Sequence, residues 1–272
     1  MLVPPAALIA VGVLMALGGW VVQATDRAEP VQFGIREIAV IAREGTIKAL
    51  IWALSPLAWF ARTSPPAERA FGARHPVLLV PGLSGGRMSL HFLRIFLERR
   101  GWPVVWAMPL PGGDPNLPEL AAEVGRAVES FTQSTGATRI DIVAHGTGGL
   151  AAAWYAQHMD RGARVRRLVT VGTPWRGTRL AVFIRGRLGP ELLWGSPLLA
   201  SLQPPIVPTV ALGGLDDPTV VPASSCFPMG ATAVRIEGAG HLELLASPRA
   251  FRAVAEALTQ PLSATRAPES AA

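Results

Sequence analysis

Between about residues 74 and 260 the chain alternates short, unbroken apolar runs with longer stretches of helical periodicity, and this alternation restricts the fold more than any other feature. Residues 76–80 (PVLLV), 104–108, 140–143, 168–171, 207–212 and 233–236 read as strands, punctuated by turn signals such as Pro81-Gly82 and Pro111-Gly112-Gly113. Residues 88–100, 118–132, 148–159 and 248–258 carry apolar side chains at helical spacing. Strands that are apolar on both sides of the pleat, separated by helices, predict an α/β domain. Its central sheet is mostly parallel, with helices on both faces.

Composition narrows the class further. Half of the 272 residues are hydrophobic and 16% are charged, which excludes an intrinsically disordered chain. The single cysteine, Cys226, excludes a disulfide scaffold and a cysteine-cluster metal site, and no metal-ligand spacing links His75, His91 and His158. The net charge of +6 comes from scattered arginines, with Lys48 the only lysine. A phosphate-tracking surface needs clustered charge, so no nucleic-acid partner is expected.

An N-terminal hydrophobic helix is expected ahead of this domain. Residues 4–22 (PPAALIAVGVLMALGGWVV) run nineteen positions without a charge, and Trp20 sits near one end. That length matches the hydrocarbon layer, and an amphipathic ring favours its boundary. Residues 1–24 therefore read as a single-pass membrane anchor. A cleaved signal peptide ending at Val22-Gln23-Ala24 is the alternative, disfavoured because no lysine or arginine precedes the run. Arg27, Arg36 and Arg43 follow it, which weakly favours a cytoplasmic main domain. Residues 25–73 read as an amphipathic helical segment and linker. Arg36, Glu37, Arg43, Glu44 and Lys48 fall on one stripe, with Ile35, Ile38, Ile41, Leu50, Ile51 and Leu54 on the remainder. Such a helix lies either at a membrane surface or against the domain. Residues 261–272 read as a disordered tail.

Four motifs follow one another within the alternating region. At 140–150 (IDIVAHGTGGL) a strand runs straight into a tight turn of small residues and then a helix. Residues 172–178 read GTPWRGT. Residues 213–225 (GGLDDPTVVPASS) put acids at the C-terminal end of a strand, and 237–251 (EGAGHLELLASPRAF) put His241 in a Gly-rich loop after the last strand. A Gly-rich loop, within 77–86 (VLLVPGLSGG), also follows the first strand. On these residues, 74–260 resemble the α/β-hydrolase superfamily, and within it bacterial esterase/lipase-type proteins with an N-terminal hydrophobic segment.

The resemblance implies the α/β-hydrolase fold and hydrolysis of carboxylic esters of the acyl or lipid type, with no cofactor and no metal. It places the nucleophile at position 146, the acid at Asp217 rather than Asp216, and the base at His241. It assigns oxyanion-hole N–H groups to Leu83 and Thr147, and a lid to 180–205. The sequence departs from the pattern at its centre: Gly146 stands where the family has serine. On the elbow pattern the Thr147 side chain points elsewhere, and neither it nor Ser84 is expected to replace the nucleophile. Glycine is tolerated there because the elbow is a strained, often left-handed conformation that glycine adopts freely. Two readings stay open. One is a membrane-anchored esterase or lipase-like hydrolase with an altered nucleophile. The other is a catalytically inactive pseudoenzyme that binds a lipid, an acyl ligand or a protein partner at the membrane.

Overall fold

The computed structural model describes residues 35–54, 64–66, 74–83 and 86–261, with isolated positions 14, 17, 18 and 21. The expected anchor at 4–22, Ser84 and the tail beyond 261 lie outside the described residues, apart from those isolated positions. Among the described residues no helix is long and apolar enough to cross a membrane.

Six parallel strands form one sheet in the order β2-β1-β3-β4-β5-β6. They are β1 (Val77–Val80), β2 (Val105–Ala107), β3 (Ile140–His145), β4 (Val165–Val171), β5 (Thr209–Gly214) and β6 (Thr232–Ile236). The pleat sorts their side chains. Val77 and Leu79 of β1 join a core with Val143, Val169 and Leu212 on one face. Leu78 and Val80 join Ile142, Leu168 and Trp106 on the other. A strand buried on both faces needs apolar residues at every position, which is why VLLV does not alternate.

The helices divide between the faces. α1 (Ile35–Leu54), α2 (His91–Arg99) and α7 (Pro248–Thr259) supply Ile51, Leu93, Leu97, Phe251 and Val254 to the first core. α3 (Leu117–Thr135) and α4 (Thr147–Trp154) supply Leu120, Val124, Phe131 and Leu150 to the second. α3 has strong end signals. The Asn116 side chain accepts the Glu119 N–H at 2.9 Å, and the Asn116 N–H donates back to the Glu119 carboxylate at 3.2 Å.

The segment assigned to a lid, 180–205, forms short helical pieces: a 3₁₀ turn at Arg179–Phe183, then α5 (Leu188–Glu191) and α6 (Pro197–Ala200). Leu188, Leu192, Leu199 and Leu202 bury into the α3–α4 side of the core, while Val182 and Phe183 stay exposed. Arg187 ties the segment to α3 through Glu119 at 2.8 Å.

α1 departs from its expected amphipathic pattern. Ile35, Ile38 and Leu50 are exposed, whereas Glu44 is buried along with Val40, Ile41 and Ile51. The helix lies against the domain: Arg43 donates to the Glu243 carboxylate at 3.1 Å and to the Gly238 carbonyl at 2.9 Å. Two buried amide donors, described below, draw Glu44 inward against its hydrophilicity.

The sheet order also fixes where a ligand site can form. The chain leaves β1 for β2 on one side and returns to β3 on the other. Loops leaving the C-terminal ends of β1 and β3 therefore diverge and open a crevice there.

Candidate active site

Gly146 follows β3 at that crevice and holds φ +53° and ψ −126°. A side-chain-bearing residue is strained in that backbone, and glycine is not. The turn is pinned on both sides. The Gly146 N–H donates to the Val171 carbonyl at 3.0 Å, and the Gly149 N–H to the Gly146 carbonyl at 3.1 Å. A Cβ built at Gly146 would lie 3.5 Å from His241 Nε2 and 4.0 Å from Gly82 Cα, in ordinary van der Waals contact. The position has room for a serine.

His241 reaches this point from the loop after β6. Its Nδ1 is 2.8 Å from Asp217 Oδ2, and both side chains are buried. The other Asp217 oxygen accepts the Thr219 N–H at 2.7 Å and the Val220 N–H at 2.9 Å. These bonds fix the carboxylate, so the Nδ1–H tautomer faces Asp217 and Nε2 faces the elbow. Burial works against a charge on His241. The Asp217 carboxylate and its hydrogen bond outweigh that, Glu44 adds to them and Lys48 opposes, and the pKa stands above the usual histidine value. Asp216 turns the other way and accepts the Gly238 N–H at 2.9 Å.

Leu83 and Thr147 flank the elbow. The Thr147 hydroxyl accepts the Leu83 N–H at 3.2 Å. The Thr147 side chain thus faces the loop after β1, a placement that the generic elbow pattern does not specify. His145 packs its ring 4.6 Å from that of His241 and is buried, with Nε2 unpartnered. Burial first, and the neighbouring His241 second, hold its pKa well below the usual value, so His145 is a neutral packing partner. Trp175 is fully buried, and its indole N–H donates to the Thr170 hydroxyl at 3.2 Å. It is a core residue. Cys226 is buried, and burial raises its thiol pKa well above the usual value. Among the described residues no group of histidine, cysteine and carboxylate side chains is arranged to hold a metal ion.

One residue of this neighbourhood escaped the sequence reading. The Glu44 carboxylate accepts the Leu242 N–H at 2.9 Å and the Glu243 N–H at 2.8 Å, directly after His241. Glu44 shares a helical stripe with Arg43 and Lys48, so periodicity alone sends it to solvent.

The strand order, the elbow after β3 and the loops after β5 and β6 together define the α/β-hydrolase fold. Solved lipases and esterases share it. A mature lipase from Bacillus licheniformis superposes with a TM-score of 0.62 at 17% identity, over 73% of this chain and 97% of that one. A lipase B from Aspergillus fumigatus gives 0.62 at 16% identity, over 97% of this chain and 83% of that one. In sequence, a triacylglycerol lipase from Burkholderia plantarii is 29% identical over 155 residues, 51% of this chain. The match spans 42% of that lipase, less than half the length of this curated relative. No protein-family model matches the chain.

Proposed function

We propose that this chain binds carboxylic esters of the acyl or lipid type in an esterase/lipase-like site that cannot form an acyl-enzyme at position 146. One observation carries the reading. His241, held by Asp217, aims Nε2 at an elbow residue, Gly146, that has no hydroxyl. A buried ion pair contributes little net stability, so an intact Asp–His pair at the crevice favours a retained site over a scaffold role. The lipase neighbours and the lipase relative support the choice of substrate class.

In this reading the ester carbonyl lies over the elbow, its oxygen toward the N–H groups of Leu83 and Thr147. The Leu83 N–H must exchange the Thr147 hydroxyl for the substrate oxygen. Turnover, where it occurs, uses water in place of serine. His241 Nε2 takes a proton from water as the water oxygen bonds to the carbonyl carbon. The tetrahedral anion collapses, the carbon–oxygen bond to the alcohol breaks, and the leaving alkoxide takes the proton from His241. Triad enzymes stripped of their nucleophile retain about 10³–10⁴-fold over water and lose roughly 10⁶ of the full rate. Residues 4–22 are the part that would hold the protein at a membrane.

The test is hydrolysis of short- and long-chain p-nitrophenyl esters by the natural chain, Gly146→Ser and His241→Ala, with fluorophosphonate labelling of each. The expected result is labelling of Gly146→Ser alone, with only slow, His241-dependent turnover by the natural chain. Labelling of the natural chain at another serine would overturn the assignment of position 146. If the natural chain binds esters but shows no turnover above His241→Ala, the inactive-binding reading takes its place.

A further inference from the structure

A buried carboxyl group lies behind His241 and comes from outside the sheet. Glu44 is 5% exposed and sits on α1, ahead of the first strand. Its two oxygens are divided between the backbone N–H groups of Leu242 and Glu243, at 2.9 and 2.8 Å. The loop is shaped around it: a Cβ at Gly240 would lie 2.4 Å from the nearer Glu44 oxygen, so only glycine lets the carboxylate approach there. Arg43, the neighbouring residue, adds a second clamp through the Glu243 carboxylate and the Gly238 carbonyl. His241 is thus bracketed on both sides, with α1 holding residues 238, 242 and 243 and Asp217 holding the imidazole itself.

A loop containing two glycines within four residues, 237–240, has no intrinsic reason to keep an imidazole at one setting. Two hydrogen bonds from the amides that follow it to the Glu44 carboxyl group supply that reason, and they become charge-assisted once that group ionises. We propose that Glu44 is a positioning residue for His241, so that α1 is part of the esterase-like site rather than a connector to it. The proposal rests on the reading of His241 as the base of that site. It gives α1 a role that neither the membrane-surface nor the simple packing alternative includes.

Electrostatics bear on the assay. Glu44 faces His241 and Asp217 from the loops, Lys48 from its own helix, and the Arg43–Glu243 pair alongside. Burial is the largest influence and pushes the Glu44 pKa to about 7, against the two amide hydrogen bonds and His241, which lower it. Above that pH the carboxylate is charged and favours a proton on His241.

The experiment uses the full chain in two backgrounds. In the natural sequence, the ring nitrogens of His241 are titrated by NMR with and without Glu44→Gln, which needs no turnover. The expected result is a lower His241 pKa in the variant. In Gly146→Ser, Glu44→Gln and Glu44→Leu are compared by kcat, KM and pH profile. Glu44→Gln still accepts one amide, so kcat should fall about 10-fold, and Glu44→Leu should approach a 100-fold loss, with KM little changed. The acidic limb of the pH profile should move with the His241 pKa. Unchanged His241 titration together with unchanged kcat in folded Glu44→Gln would overturn the proposal. If Gly146→Ser itself fails to label with a fluorophosphonate, the reading of position 146 fails, while the titration in the natural chain still decides the role of Glu44.

Discussion

Placing side chains at position 146 separates backbone strain from restored chemistry. Gly146→Ala adds only a methyl group, whose nearest neighbour is His241 Nε2 at 3.5 Å, so steric conflict is negligible and the cost is conformational. Holding a non-glycine residue at φ +53°, ψ −126° costs about 1–3 kcal/mol. Restricting the unfolded chain offsets about 0.4–1 kcal/mol of that. The net loss is then about 0–2.5 kcal/mol, or a fall in Tm of up to roughly 10 °C at about 2–4 °C per kcal/mol. Gly146→Ser pays the same strain, but its hydroxyl sits one bond beyond that Cβ, within hydrogen-bonding range of Nε2. A net hydrogen bond contributes about 0.5–1.5 kcal/mol, so serine should melt a few degrees above alanine. Calorimetry of the three proteins above the His241 pKa, with His241→Ala added to each, measures the serine–histidine coupling as a double difference. A Tm for Gly146→Ala clearly above that of the natural chain would refute the strain argument. Equal Tm values for serine and alanine, with no coupling to His241, would refute the geometry of the site.

Three further outcomes follow from the structure. Glu44 is protonated in the folded chain up to about pH 7 but ionises near 4.5 when unfolded, so the folded state binds the extra proton between those values and stability falls as pH rises through them. At about 1.4 kcal/mol per pH unit the fall is about 3 kcal/mol, and denaturant titrations at pH 4.5 and 7.5 should show a drop larger by that amount in the natural protein than in Glu44→Gln. His241, with its raised pKa, acts in the same direction: its stabilisation is complete below 6.5 and lost as pH climbs through the folded value. Asp217→Asn in the Gly146→Ser background should cut kcat about 10⁴-fold, because an amide in place of Oδ2 misorients the histidine; activity within tenfold of Gly146→Ser would dissociate Asp217 from the site. Phe131→Ala, at a fully buried position whose ring lies tilted 5.6 Å from that of Trp106, should cost about 3–5 kcal/mol by chemical denaturation.

Much of the sheet was legible because parallel strands buried on both faces announce themselves as unbroken apolar runs, as VLLV in β1 does. α3 was legible from its helical spacing over 118–132, and the capping bonds between Asn116 and Glu119 set its first turn. The neighbourhood of Asp217, His241 and Gly146 could be placed together only through the resemblance, since their 2.8 and 3.5 Å separations join loops far apart in sequence. The inward turn of Glu44 on α1 was not legible, for a definite reason. Periodicity assumes that carboxylates seek water, but the amides of Leu242 and Glu243 offered Glu44 a better-directed partner, and Ile35, Ile38 and Leu50 were left outside. The Thr147 hydroxyl was likewise set by an amide 64 residues away, at Leu83, which no local pattern encodes.

The clamp between α1 and the His241 loop also has a consequence for the birth of the molecule. Glu44 and its amide partner Leu242 are 198 positions apart. At a synthesis rate of about 5–20 residues per second, α1 leaves the ribosome roughly 10–40 seconds before anything exists to receive its carboxylate. The sheet can begin to pair from β1 to β5 in that interval, but α1 must wait for the strand and loop made last. Its docking closes the order of assembly, and a chain cut short before residue 242 would keep most of the sheet while leaving its first helix without its anchor.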